Sequence, residues 1–267
     1  MMVHRNLYFE LTEAFNARGV TTLLASGQAV VYYQLALMSK DGDWIVRETQ
    51  EACQQVLDVL VSHGARYRPG APLDPRWLAG GWSSHFEFAD PQGRRIRCDF
   101  FSRPPRVSRE VVAELFARAE DSSPLAVVDV ETLIRMKQTQ RAKDYPTIGE
   151  LARRLPPAQE IELTTDPDRI LELASHHGEA SHRASVLAAR AGGDRRAVVL
   201  ALAEEVDELQ QRDRHRLEAY ERASEPYLRA VRDLDRREVV LPAGHVRLCK
   251  LAEQWLPTHV ANGDEAP

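Results

Sequence analysis

The stretch that decides the fold of this chain is Ser39-Lys40-Asp41-Gly42-Asp43-Trp44-Ile45-Val46. Its apolar end favours a β-strand, and alternation along an extended backbone directs Asp41 and Asp43 to the same side. Two neighbouring carboxylates repel each other unless a positive group lies between them. Mg²⁺ prefers hard oxygen ligands and is commonly held by one or two carboxylates together with substrate phosphates. The pair therefore predicts a divalent-cation site, and a polar turn at a strand edge is the alternative.

A short apolar segment and a glycine turn precede this pair. Residues 20–25, Val-Thr-Thr-Leu-Leu-Ala, have the β-branched and apolar character of a buried strand. Ser26-Gly27 follows, and then an apolar stretch over residues 29–35 that favours a helix. Glycine at such a junction allows backbone N–H groups to approach an anion, and the helix N-terminus adds partial positive charge. We expect a triphosphate to lie at this turn, although a purely geometric role for the glycine is the alternative.

A third carboxylate lies on a predicted hairpin. Residues 84–89 and 94–101 are two extended segments joined by the turn-forming cluster Asp90-Pro91-Gln92-Gly93. Asp99 lies among apolar side chains of the second segment, where an acid without a partner is costly to bury. We therefore expect Asp99 to complete the group of acids. A solvent-facing Asp99 is the alternative, and Glu87 on the neighbouring strand is a second candidate for the third acid.

A basic segment farther along the chain supplies candidate phosphate ligands. Residues 133–144 have helical periodicity, and Lys137, Arg141 and Asp144 are spaced i, i+4 and i+7. On one continuous helix these three side chains share a face. The two cations could then reach phosphates while Asp144 orients one of them. A solvated charged face is the alternative.

Taken in order, these motifs resemble the polymerase-β-type nucleotidyltransferase superfamily. The likeness depends on Gly27, the Ser39-x-Asp41-x-Asp43 segment and Asp99 on a later strand. Within that superfamily, Lys137-x-x-x-Arg141-x-x-Asp144 is similar to the AbiEii-like abortive-infection branch. The resemblance covers residues 5–155. It implies an α/β (α+β) fold with a mixed β-sheet flanked by helices, and Mg²⁺-dependent transfer of a nucleoside monophosphate from an NTP.

The resemblance also implies three groups of site residues. The catalytic acids, which are also the ligands of two Mg²⁺ ions, are Asp41, Asp43 and Asp99. The residues that line the phosphate site are Ser26, Gly27 and Ser39. The residues that hold the triphosphate are Lys137 and Arg141, with Asp144 beside them. The chain departs from the family pattern at Ser26-Gly27-Gln28, where Gly-Gly or Gly-Ser is usual.

Three functions follow as candidates. The first is a nucleotidyltransferase that acts on an acceptor hydroxyl of tRNA or protein, often as a toxin with a cognate antitoxin. The altered turn at Gly27 favours the second, a non-catalytic protein of the same fold that binds a nucleotide or a partner protein. The excess of acids over bases is compatible with the third, transfer to a cationic small molecule such as an aminoglycoside.

Length and composition bound the rest. A chain of 267 residues with 43% hydrophobic content can build a full core in one or two domains. The net charge of −5 provides no global basic field for nucleic acid. Three widely separated cysteines favour reduced thiols in a cytoplasmic protein. No apolar run has the length of a membrane span, so a membrane is not an expected partner.

Composition changes near Pro156-Pro157, where strand patterns give way to helical ones. We expect a nucleotidyltransferase-like domain over residues 1–157 and an all-helical C-terminal domain over residues 158–267. A long stretch that begins at Asp194 repeats apolar residues at intervals of three to four, namely Val198, Leu202, Val206 and Leu209. This stripe must pack on the core domain or on another chain, which leaves a homodimer through these helices open.

Overall fold

The computed structural model describes residues 6–120, 124–234 and 239–260. Their packing forms two compact units. The first contains the described residues of Met1–Val128 and Glu218–Asn262, and the second those of Asp129–Leu217. These units are defined by backbone packing, and the expected division of the chain at residue 157 stays a prediction.

The first unit is built on a five-stranded mixed sheet, as expected from the sequence. Its strands are β1 (Thr22–Ala25), β2 (Gly42–Val46), β3 (Arg66–Tyr67), β4 (Ser84–Ala89) and β5 (Arg95–Phe101). Their spatial order is β1-β2-β5-β4-β3. β2 and β5 are parallel, and every other neighbouring pair is antiparallel. The strand with the paired aspartates and the strand with Asp99 are therefore adjacent.

Helices account for most of the remaining described residues. They are α1 (Leu7–Phe15), α2 (Ser26–Tyr32), α3 (Gln50–Ser62), α4 (Pro75–Leu78), α5 (Arg109–Glu120), α6 (Val130–Lys137), α7 (Tyr145–Ala152), α8 (Pro157–Leu163), α9 (Pro167–His177), α10 (Ala184–Arg190), α11 (Arg195–Arg232) and α12 (Ala243–Trp255). The long helical stretch near the C-terminus was expected from its periodicity. Several helices begin at side-chain caps; Thr49, for example, accepts a hydrogen bond from the backbone N–H of Ala52.

The prediction of one continuous helix over residues 133–144 is wrong. α6 ends at Lys137, and a short 3-10 turn, Ala142–Asp144, follows after a break. Within the break, the backbone N–H of Gln140 donates to the buried carboxylate of Asp213 at 3.0 Å. A residue far away in sequence thus satisfies a backbone group that a helix would otherwise have used, so the helix does not need to continue.

One face of the sheet forms the core of the first unit. The rings of Trp44 and Phe100 stack with their centroids 5.2 Å apart, and Phe15 of α1 meets Trp44 edge-on at 5.2 Å. Gly42 faces the same core, where an added Cβ would lie 2.3 Å from the Trp44 ring. The glycine between the two aspartates is therefore required by packing.

The second unit has its own apolar core, formed by α8, α9, α10 and the start of α11. Val198 and Leu202 of the predicted apolar stripe are buried there, and Val206 packs against them. Three of the four residues of the stripe are therefore covered by helices of their own unit. A homodimer through the C-terminal helices stays a prediction.

The three cysteines are free thiols, which confirms the expectation from their spacing. Burial raises the pKa of Cys53 and of Cys249 to about 12. Both thiols are therefore protonated near neutral pH. Within the described part of the chain, no helix combines the length and the apolar character needed to cross a bilayer.

Candidate active site

The register of the strands brings two of the predicted acids side by side. Asp43 on β2 and Asp99 on β5 are direct partners across the parallel pair. Neighbouring strands lie about 4.8 Å apart, and paired residues leave the sheet on the same face. Ala25 at the end of β1 is paired with Asp43, and His85 on β4 is paired with Asp99. One row across the sheet therefore holds Ala25, Asp43, Asp99 and His85, which we call the acid row.

Asp41 reaches the same face from the residue before β2. Its Oδ1 lies 3.7 Å from Nη1 of Arg97. Arg97 is two residues before Asp99 on β5, so the two side chains share a face. The buried Gly42 points the opposite way. The alternation expected for the D-x-D segment therefore directs both of its acids away from the core.

Asp99 is held by two basic side chains at one oxygen. Nη1 of Arg68 donates a hydrogen bond to Oδ1 at 3.1 Å. Nδ1 of His85 lies 2.9 Å from the same oxygen, close enough for an ion pair but not aligned for a hydrogen bond. Both contacts fall on Oδ1, and 21% of the Asp99 side chain is exposed to solvent. Gly70 lies directly against the His85 ring, since a Cβ added to this glycine would be 2.4 Å from a ring carbon.

The negative charge of the acids acts on buried neighbours. Burial, followed by the charges of Asp99 and Asp43, raises the pKa of the Cys98 thiol well above its ordinary value. Burial and nearby negative groups, Asp41 among them, raise the pKa of Tyr8 to about 12.

The predicted phosphate-site residues converge at the start of α2. A Cβ on Gly27 would lie 2.3 Å from Oγ of Ser39, so glycine is the residue that fits. Gln28 is buried, donates from Nε2 to the backbone oxygen of Ser39 at 2.9 Å, and accepts from Asn6 at 2.9 Å. Gln28, which departs from the family pattern, therefore stabilises the loop at Ser39 that precedes Asp41 and Asp43.

The same loop is held from its other side. The hydroxyl of Tyr8 donates to the backbone oxygen of Lys40 at 2.6 Å. The turn itself is strained, because Ser26 has a φ of 50°. This left-handed conformation favours glycine over residues with a side chain. Ser26, which stands where a Gly-Gly turn would have glycine, therefore occupies a position where glycine would fit without strain.

A cavity of about 680 Å³ opens beside Asp41. Ligand cavities commonly measure about 300–1,000 Å³, so a nucleotide is of suitable size. Its walls include the loop with Ser39 and the arginines Arg94, Arg95 and Arg97 of the β4–β5 hairpin. Leu37 lies on this loop with its side chain fully exposed.

In the second unit, the predicted triphosphate ligands meet through a loop and not along a helix. Nζ of Lys137 lies 3.5 Å from Oδ1 of Asp144, and Nε of Arg141 lies 3.4 Å from Oδ2. Lys137 is buried, with 9% of its surface exposed. Asp144 thus pairs with both cations, through a loop that the helical spacing did not predict. That they hold a triphosphate stays a prediction.

The acids of the site supply oxygen ligands of the kind that a metal ion binds. The described residues contain no group of three His, Cys, Asp or Glu side chains that could hold a metal by itself. Mg²⁺ requires fewer protein ligands, because water and substrate phosphates complete its octahedral shell. Asp41 and Asp43 offer hard oxygens on one face, with Oδ2 of Asp99 on the adjacent strand. These donors fit Mg²⁺, and ligation by all three acids stays a prediction.

No protein-family model matches the chain, and no curated protein matches its sequence. Two solved structures from Helicobacter pylori show a weak structural similarity to this chain. One, described as a proposed nucleotidyltransferase, is 12% identical over 78% of this chain and 95% of its own, with a TM-score of 0.39. The other, JHP933, is 11% identical over 84% of this chain and 95% of its own, with a TM-score of 0.40. At this distance the similarity supports no functional conclusion.

Proposed function

We propose that this protein is a nucleotidyltransferase, which transfers a nucleoside monophosphate from an NTP to an acceptor hydroxyl. The observation that supports the proposal is the acid row. Asp43 and Asp99 lie in register on adjacent strands, and the turn at Gly27 follows the next strand of the same row. The acids and the glycine turn are thus close neighbours along the sheet.

The chain's own residues divide the work between the two substrates. The turn at Gly27 and the loop at Ser39 bind on the NTP side, while Asp99 works on the acceptor. Arg68 and His85 fix Oδ1 of Asp99, which leaves Oδ2 to accept the proton of the acceptor hydroxyl. Mg²⁺ at Asp41 and Asp43, when bound, neutralises charge on the phosphates.

The bonds that change are those at the α-phosphorus. The acceptor oxygen forms a bond to this phosphorus as its proton passes to Oδ2 of Asp99. The bond from the α-phosphorus to the oxygen that bridges it to the β-phosphate breaks, and pyrophosphate leaves. From the resemblance in the motifs, we further propose a tRNA or protein acceptor and a toxin role with a cognate antitoxin.

A transfer assay tests the proposal. The full-length protein is incubated with Mg²⁺, each of four α-labelled NTPs, and total tRNA, protein or aminoglycosides as acceptors. We expect label on one acceptor class and an Asp43→Asn variant that transfers slower by orders of magnitude. The matched control is Asp58→Asn, which removes an exposed carboxylate from α3. Undiminished transfer by the Asp43→Asn protein would contradict the proposal.

A second candidate is nucleotide binding without transfer. The ion pair that Asp99 makes with Arg68 favours it, because the guanidinium partly neutralises the acid. Calorimetry separates the two functions. Mg²⁺-dependent NTP binding with no pyrophosphate release, in the presence of every acceptor class, would select this candidate.

A further inference from the structure

A second cavity, of about 720 Å³, lies in the first unit at the β3 edge of the sheet. We call it the arginine cavity. Its two walls differ in chemistry. The sheet contributes Arg66, Arg68 and Arg95, and the facing residues are mostly aliphatic, including Leu228 and Val231. A ligand for this space must combine an anionic part with an apolar part.

The charge of the arginine cavity is strongly positive. Four arginines line it, the fourth being Arg232, against the single carboxylate of Glu87. Arg66 donates to Glu87 at 2.7 Å. Arg95 and Arg232 form no ion pair within the described residues. This positive charge stands out in a chain whose net charge is −5.

The guanidinium groups suit a phosphate. Each has five N–H donors in a planar fork, which matches the oxygens of a phosphate in a bidentate manner. Arg68 uses one nitrogen, Nη1, on Asp99 and also lines the cavity. An anion bound there would therefore lie next to the side chain that orients Asp99.

The arginine cavity is within reach of the acid row. The backbone N–H of Arg68 donates to the backbone oxygen of His85 at 2.8 Å, so Arg68 continues the row beyond β4. Two strand spacings separate it from Asp99, a distance of about 10 Å. A molecule with a phosphate in the cavity could thus place a hydroxyl at Asp99.

We infer that the arginine cavity binds the acceptor substrate, and that this acceptor carries a phosphate beside an apolar group. That the bound molecule is an acceptor rests on the proposed function, whereas the binding of its phosphate does not. The charge disfavours an aminoglycoside, because a polycation would be repelled by the arginines. Phosphates of this kind occur in a small phosphorylated metabolite or at the end of an RNA strand.

Binding is tested separately from transfer. The probes are inorganic phosphate, cytidine 5′-monophosphate and a trinucleotide RNA with a free 3′ hydroxyl, each titrated into the full-length protein by calorimetry. Arg66→Gln and Arg232→Gln are the variants, because neither residue lines the cavity beside Asp41. Each is expected to weaken binding by roughly tenfold, as befits a charge-assisted hydrogen bond.

Two control variants keep the result interpretable. Arg18→Gln removes an equally charged, exposed side chain from the same unit and is expected to bind the probes as the unaltered protein does. Asp43→Asn is expected to keep probe binding even though it loses transfer, so failure of the proposed function and failure of this inference are distinguishable.

Each outcome either supports the inference or overturns it. Trinucleotide binding at least tenfold tighter than that of the mononucleotide supports the inference with RNA as the source, and equal binding supports it with a small phosphorylated molecule. Unchanged binding in both arginine variants overturns it. Competitive displacement of the probes by ATP also overturns it, because the arginine cavity would then belong to the NTP. Absence of binding by all three probes at millimolar concentration overturns it as well.

Discussion

The two faces of strand β5 lie in different environments, one in the apolar core and the other at the candidate site. Ile96, Cys98 and Phe100 point into the core and are buried. Arg97 and Asp99 alternate with them, remain partly exposed and pair with charged side chains from other strands. Packing determines which residues suit the buried face, and charge pairing determines which residues suit the polar face. Stability and activity should therefore respond to different substitutions on the same strand.

The largest effect is expected on the polar face. Asp99→Asn removes the proton acceptor while keeping the size of the side chain, and loss of a general base costs roughly 10²–10⁴-fold in rate. Because Asp99 is partly exposed, the midpoint of thermal unfolding should shift only slightly. Both are measured on the same preparation, by label transfer and by calorimetry.

Asp58→Asn provides the matched control, since it makes the same change at an exposed carboxylate of α3 that lines neither cavity. This variant should leave transfer within a few-fold of the unaltered protein. An equal loss in both variants would mean that the position of Asp99 beside Asp43 does not matter.

The opposite face gives the next largest effect. Phe100 is fully buried and contacts the rings of Trp44, Phe15 and Phe86, with centroids 5.2, 5.4 and 5.7 Å away. Phe100→Ala should lower the free energy of unfolding by about 3–5 kcal/mol, since it leaves a cavity in a packed core. Urea titration measures this loss. Phe101→Ala, at the half-buried next position, should cost distinctly less, and an equal cost would contradict the division of the strand into two faces.

A smaller, pH-dependent effect is expected from a histidine on the buried side. The hydroxyl of Tyr67 and Nδ1 of His245 lie 2.8 Å apart. Burial lowers the pKa of His245 in the folded protein. The unfolded chain, with an ordinary histidine pKa of about 6.5, then binds more protons, so stability should fall as pH drops below that value. The decline should end once pH is below the folded pKa.

His245→Gln should flatten this part of the pH profile, as followed by urea titrations between about pH 7 and 5. Changing the exposed His177 to glutamine is the control and should leave the slope as it was. An unaltered slope after His245→Gln would show that other groups produce it.

Local sequence patterns predicted much of this fold because they act over a few residues. The strand Thr22–Ala25 and both strands of the hairpin follow from β-branched and apolar patterns and from turn residues. The break in the helix after Lys137 could not be predicted this way. It depends on Asp213, which binds a backbone group 73 residues away.

The candidate site shows the same limit. Alternation predicted that Asp41 and Asp43 share a side, and the register shows Asp99 next to Asp43. Arg68 was missed because its approach to Asp99 depends on the pairing of β3 with β4, which no spacing along the chain encodes. His85 could have been found, because the turn at residues 90–93 places residues 85 and 99 opposite each other in the predicted hairpin.

The smallest expected effect concerns the turn beside the acid row. Ser26 has a left-handed backbone, which costs a residue with a side chain about 1–2 kcal/mol. Ser26→Gly removes this strain but adds conformational entropy to the unfolded chain, worth roughly 0.5–1 kcal/mol. The variant should therefore be more stable by up to about 1.5 kcal/mol, whereas Ser26→Ala keeps the strain and should gain nothing. If the strain serves NTP binding, Ser26→Gly will raise KM for the NTP while stability increases. If it does not, KM will stay unchanged, and the serine is then a tolerated departure from the Gly-Gly turn.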